Sequence, residues 1–443
     1  MDIEMHNNDA FVQKQDSIES MSYPASTYAT IDEWTAKESI SFSVDSPKIF
    51  KDAVDKVMAS LDDSVELLGF GEALHGGEDI LRLRNRLFQR LVEAHGYSSI
   101  ALESSFPRAH LVNEYVLGRC PKSYQALQDA GFSHGFGCLG ANKELVEWMR
   151  KYNADPAHGI KIQFYAFDSP SEMTSTDSPA QALHFVLDYL ASIDDASGKE
   201  HREWIDSLLG QNSDWENPQA MMDPTKSIGM SPAANALRIQ TENLISKLCV
   251  LRPELVAKSD KWRFLEAFHY ARVAQQLLNY HAQLAQDSGH RTARLLGIRD
   301  AMMADNLAYI MSREHGRGKV MAFAHNSHLQ RGKAQWQLGA DTLAWWPAGA
   351  HINAMFGSRY AVIGTAIGVS EVNGIGEPEA GTLEARLRVV PGPVRFIPTH
   401  EGQGLPASEI GSLSIRSGST KNSTYFALTP QSLTDFDWLA ILD

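Results

Sequence analysis

Two short loops combine acidic residues with histidines directly after apolar segments that have the length of buried strands. Glu72 and His75 follow the first of these segments, and His325 and His328 follow the second. A carboxylate beside an imidazole is the usual pair for general base catalysis, because the carboxylate orients the ring and stabilises its protonated form. The two loops therefore predict one site assembled from distant parts of the chain.

Two further acidic residues stand at the ends of predicted strands. Glu103 follows the predicted strand 98–102, and Asp168 follows the predicted strand 161–167. In open α/β sheets, ligands and catalytic groups collect at the carboxyl ends of the strands. One acidic residue after a strand is more often a helix cap or a loop charge, but four coincident strand ends favour a functional site.

A third feature is an arginine on the apolar face of the helix predicted over 78–94. At about 100° per residue, Arg84 falls near the centre of the apolar stripe. That stripe consists of Ile80, Leu83, Leu87 and Leu91. A buried guanidinium needs charged or hydrogen-bonding partners, and Glu72 and Glu103 are the candidates. The alternative is that its aliphatic stem lets the guanidinium reach the surface.

The helix predicted over 292–315 has the same kind of pattern. Arg299 and Asn306 share its apolar face, seven residues apart. The other members of that face are Leu295, Met302, Met303 and Ile310. Polar residues on a core-facing stripe predict either a binding site or a structural hydrogen-bond pair, and both alternatives stay open.

Several well-known active-site motifs are absent or incomplete. The sequence contains no G-x-S-x-G, so the nucleophile elbow of α/β-hydrolases is not predicted. It also contains neither H-E-x-x-H nor a P-loop. The segment 69–71 (Gly-Phe-Gly) resembles the start of a dinucleotide-binding turn, but Leu74 stands at the third glycine position. These motifs therefore predict neither a serine nucleophile nor a dinucleotide cofactor.

The order of predicted elements indicates the fold class. Strands and helices alternate through 45–178, long helical segments dominate 179–316, and strands resume in 317–443. We predict an α/β fold with a largely parallel central sheet flanked by helices and with a helical insertion or cap. Residues 1–44 are predicted to be a polar leader, and the apolar segment 436–442 to be an edge strand.

The amino-acid composition indicates which kinds of molecule the protein can bind. The net charge of −14 argues against binding to nucleic acids or acidic membranes, since both need a basic surface. The three cysteines have no metal-site spacing and an odd count, which fits a reducing compartment. No apolar segment resembles a signal peptide or a membrane span. We expect a cytoplasmic, monomeric enzyme with a small-molecule substrate.

Taken together, these motifs resemble the erythromycin esterase family in order and spacing over about residues 65–330. The matching elements are Gly71-Glu72-x-x-His75, Arg84, Leu102-Glu103, Arg299-Asp300-x-Met302-x-x-x-Asn306 and Ala324-His325-Asn326-x-His328. The resemblance implies a deep cleft between the α/β core and the helical region. It also implies hydrolysis of the lactone ester of 14-membered macrolides, without a metal, another cofactor or a covalent nucleophile.

The resemblance also implies roles for individual residues. His75 would be the general base that activates water, and Glu72 would orient His75 or share its proton. The polar network around the reacting carbonyl would consist of Glu103, Arg84 and His325. We assign substrate binding to His328, Arg299, Asn306 and Asp168.

Two alternatives differ in the class of function. In the first, a metal-dependent hydrolase of another ester or amide would use His75, Glu72, His325 and His328 as ligands. Loss of activity with a chelator and its return with metal would favour this alternative. In the second, the same scaffold would bind a small molecule without turnover, and affinity would survive His75→Ala.

Overall fold

The computed structural model describes residues 27–169, 171 and 176–443, so the first 26 residues of the predicted leader lie outside the described residues. The strands in this part of the chain are β1 Ile40–Phe42, β2 Leu67–Glu72, β3 Tyr97–Ser105, β4 Gln163–Asp168, β5 Lys319–His325, β6 Ala334–Leu338, β7 Asp341–Trp345, β8 Tyr360–Ile367, β9 Val394–Pro398 and β10 Trp438–Leu442. All of them except β6 and β7 belong to one central sheet.

The helices of the first half either cover this sheet or connect its strands. They are α1 Ile31–Glu38, α2 Pro47–Ser60, α3 Glu78–Ala94, α4 Phe106–Val116, α5 Gln128–Gly131 and α6 Gly140–Ala154. The helices of the middle region are α7 Ala180–Ala191, α8 Asp195–Leu209, α9 Asn212–Trp215, α10 Pro232–Lys258, α11 Lys261–Leu284 and α12 Arg291–Glu314. The helices that follow β5 are α13 Asn326–Leu329, α14 Ala348–Phe356, α15 Leu383–Leu387, α16 Ala407–Gly411 and α17 Ser432–Asp435.

Single-turn 3-10 helices supplement these elements. They lie at Tyr124–Ala126, Phe136–Cys138, Pro218–Met221, Pro224–Lys226, Gly357–Arg359 and His400–Gly402. Among the described helices, none has the length and apolar character needed to cross a membrane.

The central sheet confirms the predicted fold class. Its strand order is β1-β9-β10-β8-β2-β5-β3-β4, and the six strands from β10 to β4 run parallel. Every residue of β2, β3 and β8 is buried. Continuous burial is typical of a parallel sheet that is covered by helices on both faces.

The position of β10 corrects one prediction. The apolar segment 436–442 is not an edge strand, because β10 lies between β8, to which it is parallel, and β9, to which it is antiparallel. All five residues of β10 are apolar and buried. An apolar run without alternating polar residues is typical of a strand that is covered on both faces. The sequence of β10 is therefore consistent with a position inside the sheet.

The second half of the predicted leader also differs from expectation. Helix α1 begins after Thr30, whose side chain accepts a hydrogen bond from the backbone N–H of Glu33. Trp34 is completely buried, and β1 pairs with β9 at the sheet edge. Residues 31–42 are therefore anchored to the folded domain, since Ile31, Trp34 and Phe42 are buried although the segment is polar on average.

A two-stranded antiparallel hairpin of β6 and β7 is a further element that sequence reasoning missed. It follows α13 and turns at Gly339, which has a positive φ of 62°. Its base packs against α12 through Leu296, Ala334 and Trp345. The hairpin places aromatic side chains near the carboxyl edge of the central sheet.

Candidate active site

The predicted site residues at four strand ends meet at one edge of the sheet. Glu72, His325, Glu103 and Asp168 lie at or near the carboxyl ends of β2, β5, β3 and β4, which are neighbours in that order. Glu72 is the register partner of His325. The parallel order of these strands therefore brings together residues that are far apart in the sequence.

His75 is held against Glu72 by the turn after β2. Its Nδ1 lies 2.6 Å from Oε1 of Glu72, and the His75 side chain is 25% exposed while that of Glu72 is 2% exposed. Glycine is required at two positions, one in the turn and one near the end of β2. Gly76 has a φ of 76°, and a Cβ on Gly71 would lie 2.2 Å from the side-chain oxygen of Asn326. The buried carboxylate thus orients an imidazole that still faces solvent.

Neighbouring carboxylates control the proton affinity of this pair. Burial lowers the pKa of His75, but Glu103, 3.9 Å from its Nε2, and Glu72 more than reverse this effect and raise it. Burial raises the pKa of Glu72, and the contact with His75 offsets only part of that rise. The pair therefore binds a proton more tightly than an isolated histidine.

His325 has both ring nitrogens committed to the protein. Its Nε2 donates to the carbonyl of Thr424 at 3.0 Å, so Nδ1 is the acceptor for the Ser327 hydroxyl at 2.7 Å. Burial, followed by the charge of His75, lowers the pKa of His325 to about 3. His325 is thus a neutral, fixed ring, and these contacts favour His75 as the base.

His328 is the opposite case, an imidazolium between two carboxylates. Its Nδ1 lies 2.8 Å from Oδ1 of Asp300, and its Nε2 lies 3.3 Å from Oε1 of Glu103. Burial lowers the pKa of His328, but Asp300 and Glu103 outweigh burial and raise it to about 10. His328 therefore has a positive charge at neutral pH.

Arg299 links two of the predicted carboxylates. Its Nε and Nη2 donate to the two oxygens of Asp168 at 3.0 and 2.6 Å, and Nη2 also lies 3.0 Å from Oε1 of Glu103. Burial alone would lower the pKa of Arg299, but Asp168 and Glu103 raise it. A bidentate pair of this kind fixes the orientation of the guanidinium.

Glu103 is the centre of this charge network. One of its oxygens accepts the backbone N–H of His325 at 2.8 Å, and the other faces Arg299 and His328. Burial raises the pKa of Glu103, but His328, His75 and Arg299 hold it well below its usual range. Glu103 therefore stays an anion that orders three positively charged or titratable groups.

These groups line a cavity of about 360 Å³. Its polar side is formed by His75, Glu103, His134, Arg299, His325, Ser327, His328, Ser423 and Thr424. Its apolar side is formed by Leu296, Trp336, Trp345 and Phe426. The cavity combines charged and imidazole groups with an aromatic wall, so it offers both polar groups that can orient a ligand and apolar surface that can bind it.

Four predicted site residues lie outside the lining of this cavity. Glu72 and Asp168 contact the lining residues His75 and Arg299 directly, whereas the hydrogen bonds of Arg84 and Asn306 go elsewhere. The Arg84 guanidinium donates to Asn85 and Asn142, at 2.7 and 2.8 Å from Nη2, and stacks on Phe323. Its hydrogen bonds therefore do not reach the predicted partners, Glu72 and Glu103. Nevertheless, its Nη1 and Oε2 of Glu72 are both buried without a hydrogen-bond partner among the described residues, and both side chains line a small cavity that Glu103 also lines.

Asn306 is the second residue whose hydrogen bonds go elsewhere. Its amide donates to the carbonyl of Phe167 at 2.9 Å and contacts Nε2 of His269 at 2.8 Å. Arg299 and Asn306 share a face of α12, but two helical turns separate them by about 10 Å. Arg299 reaches the cavity and Asn306 does not, so the hydrogen-bond pair is the interpretation that the contacts favour.

Several site residues were missed by sequence reasoning. His134 contacts Asp168 at 2.9 Å and has a φ of 56°, which a non-glycine residue rarely adopts. Asp300 is fully buried beside His328, and Thr424 holds the ring of His325. Asp300 belongs to the motif that matches the family, although no role is predicted for it from the sequence, whereas His134 and Thr424 lie in loops without periodicity.

The contacts also bear on the metal alternative. That alternative used His75, Glu72, His325 and His328 as ligands. Among the described residues, the group with suitable spacing is a different one, formed by Glu103, His134 and Asp168, whose candidate atoms lie within 4.8 Å of one another. The guanidinium of Arg299 already contacts both of these carboxylates and supplies the positive charge that they require.

Comparison with known proteins gives the same family as the motifs. The family model for erythromycin esterase matches residues 92–443. Erythromycin esterase type II from Escherichia coli is 23% identical over 340 residues, which cover 75% of this chain and 76% of that protein. Erythromycin esterase type I from Escherichia coli is 22% identical over 288 residues, 62% of this chain and 64% of that protein.

Solved structures share the fold at 18% identity. A Bacillus cereus protein matches with a TM-score of 0.70 over 93% of this chain and 96% of its own. A mutant of the erythromycin esterase EreC, in its open conformation, matches with a TM-score of 0.64 over 87% of this chain and 92% of its own. The family and its relatives indicate hydrolase chemistry of the esterase type. Because the family match covers most of the chain, this protein belongs to the erythromycin esterase family.

Proposed function

We propose that this protein opens the lactone ester of 14-membered macrolides, with His75 as the general base that activates water. The observation that supports this proposal is the contact of His75 with Glu72. Nδ1 is held at 2.6 Å, while Nε2 faces the cavity, and no serine motif suggests a covalent nucleophile. A neutral imidazole held in this way can accept a proton from water.

The reaction follows from the charges around the cavity. Nε2 of His75 takes one proton from water, and the oxygen of that water attacks the ester carbonyl. The imidazolium of His328 and the guanidinium of Arg299 stabilise the negative charge on the carbonyl oxygen. His75 then donates its proton to the departing alkoxide, so that water and lactone yield one carboxylic acid and one alcohol.

A bulky substrate would have to extend beyond this one cavity. The volume of about 360 Å³ lies in the lower part of the range for drug-sized ligands, about 300–1,000 Å³. A second cavity of about 440 Å³ adjoins it and shares Ser327 and Phe426 with it. The product would be a ring-opened, inactive antibiotic, which would give resistance. We further propose that the protein acts as a cytoplasmic monomer on a small molecule.

Mass spectrometry of erythromycin incubated with chelator-treated protein tests this proposal. We expect the wild type to add one water to the lactone and His75→Asn to lose this activity. His315→Asn is the control, because His315 is exposed and caps the far end of α12. An intact lactone with the wild type would contradict the proposal. Activity that requires added zinc or manganese would instead support the metal alternative.

A further inference from the structure

We infer that Trp345 is a positioning residue whose indole N–H holds Asp300 and, through Asp300, the ring of His328. The same indole forms part of the wall of the substrate cavity. Substrate contact and the orientation of a charged group would therefore depend on one side chain. The kinetic part of this inference rests on the proposed function, whereas its structural part does not.

Hydrogen bonds on both oxygens of Asp300 support the inference. Oδ2 accepts the indole N–H of Trp345 at 2.8 Å, and in the described part of the chain no other hydrogen bond reaches that oxygen. Oδ1 accepts the backbone N–H of Ala348 at 2.8 Å and contacts Nδ1 of His328 at 2.8 Å. Because Asp300 is fully buried, a lost donor cannot be replaced by solvent.

The position of Trp345 in the fold explains how it reaches both neighbours. It is the last residue of β7 and is 6% exposed, and its side chain packs between Leu296 of α12 and Ala334 of β6. The chain then continues to Ala348 at the start of α14. The exit of the hairpin therefore supplies two of the three groups that surround the carboxylate.

The charges around His328 determine what the loss of the indole would do. Asp300 and Arg299 face it from α12, Glu103 faces it from β3, and two more histidines lie nearby. These are His75, after β2, and His325, at the end of β5. Without the indole donor, the carboxylate of Asp300 loses the hydrogen bond that fixes Oδ2 and can turn away from Nδ1 of His328. The imidazolium of His328 then loses part of its stabilisation, and its pKa falls below the value of about 10.

Trp345→Phe tests this link, and Trp336→Phe is the matched control. Both tryptophans line the cavity, but only the Trp345 indole has a hydrogen bond to Asp300 among the described residues. In a ¹⁵N-histidine NMR titration, we expect Trp345→Phe to lower the pKa of His328 by about one unit or more. We expect Trp336→Phe to leave it within about 0.3 unit.

Steady-state kinetics on the lactone give a second, independent readout. We expect Trp345→Phe to lower kcat by about tenfold with KM within about twofold, since the aromatic wall is kept. Trp336→Phe should instead act mainly on KM. If Trp345→Phe does not fold, a titration of the wild-type protein still tests the structural part of the inference. The indole N–H resonance of Trp345 should move as His328 titrates, and that of Trp336 should not.

The outcomes separate this inference from the proposed function. An unchanged pKa of His328 in Trp345→Phe, or an indole resonance that ignores the titration of His328, would overturn the link. If the wild type hydrolyses no lactone, the proposed function is contradicted, and the kinetic test cannot be made. The NMR titration still confirms or refutes the inference in that case.

Discussion

Glu103→Gln should move the acidic limb of the pH–rate profile to lower pH. A general base must be neutral, so kcat/KM falls as the pH drops through the pKa of His75 in the free enzyme. That pKa is raised in the folded protein, because the nearby carboxylates of Glu103 and Glu72 outweigh burial. The wild-type limb should therefore lie above the ordinary pKa of histidine.

The distance between the two groups gives the size of the shift. Opposite unit charges 3.9 Å apart attract by about 1 kcal/mol in water and about 4 kcal/mol at an effective dielectric constant of about 20. Since one pKa unit is about 1.4 kcal/mol, this range corresponds to about 0.8 to 3 units. Arg299 and His328 offset part of the charge of Glu103, so we expect a shift of about one unit.

The assay is kcat/KM for lactone hydrolysis between about pH 5 and 9. The readout is the pH at which the acidic limb lies. The maximum value of kcat/KM is not used, because it will also fall when Arg299 and His328 lose an anionic partner. Glu147→Gln is the control, since Glu147 is half exposed on the outer face of α6. A limb that stays in place, or moves to higher pH, would show that Glu103 does not set the proton affinity of the base.

Two further variants test the positioning of His75. Glu72→Gln removes a charged hydrogen bond to Nδ1, which contributes about 1.5–3 kcal/mol, so kcat should fall about 10- to 100-fold with little change in KM. Gly71→Ala places a Cβ 2.2 Å from the side-chain oxygen of Asn326 and should destabilise the fold by about 1–3 kcal/mol, measured by urea unfolding. Gly159→Ala, with open space around the new Cβ, should cost less than about 0.5 kcal/mol. Equal losses in the two alanine variants would refute the close contact between β2 and the start of α13.

Much of the site could be predicted because apolar runs mark where buried strands end. Glu72, Glu103, Asp168 and His325 follow such runs, and a parallel sheet brings their strand ends together. The position of α12 relative to the sheet is not encoded in its own periodicity. For that reason the apolar stripe singled out Asn306 and Arg299 equally, although only Arg299 reaches the cavity.

Loop residues were harder to predict, because their contacts depend on distant parts of the chain. Thr424 and Phe426 approach the site only because the loop before α17 bonds to the turn after β2. In that contact, the backbone N–H of Phe426 donates to the carbonyl of Ala73. The hydrogen-bond partners of Arg84 were hard to predict for the same reason. The guanidinium of Arg84 donates to Asn142 on α6, and the sequence pattern of α3 does not indicate that partner.

The place of β5 in the sheet has a consequence for how the protein folds. β5 lies between β2 and β3, although the long helices of the middle region separate it from both in the chain. Such non-local pairing predicts slow folding, because loop-closure entropy is lost before the contacts form. Until β5 inserts, β2 and β3 have unpaired edges that favour aggregation. The edge of the sheet with the candidate site is therefore expected to assemble late. A slowly folding middle region would then reduce the yield of folded protein without altering that site.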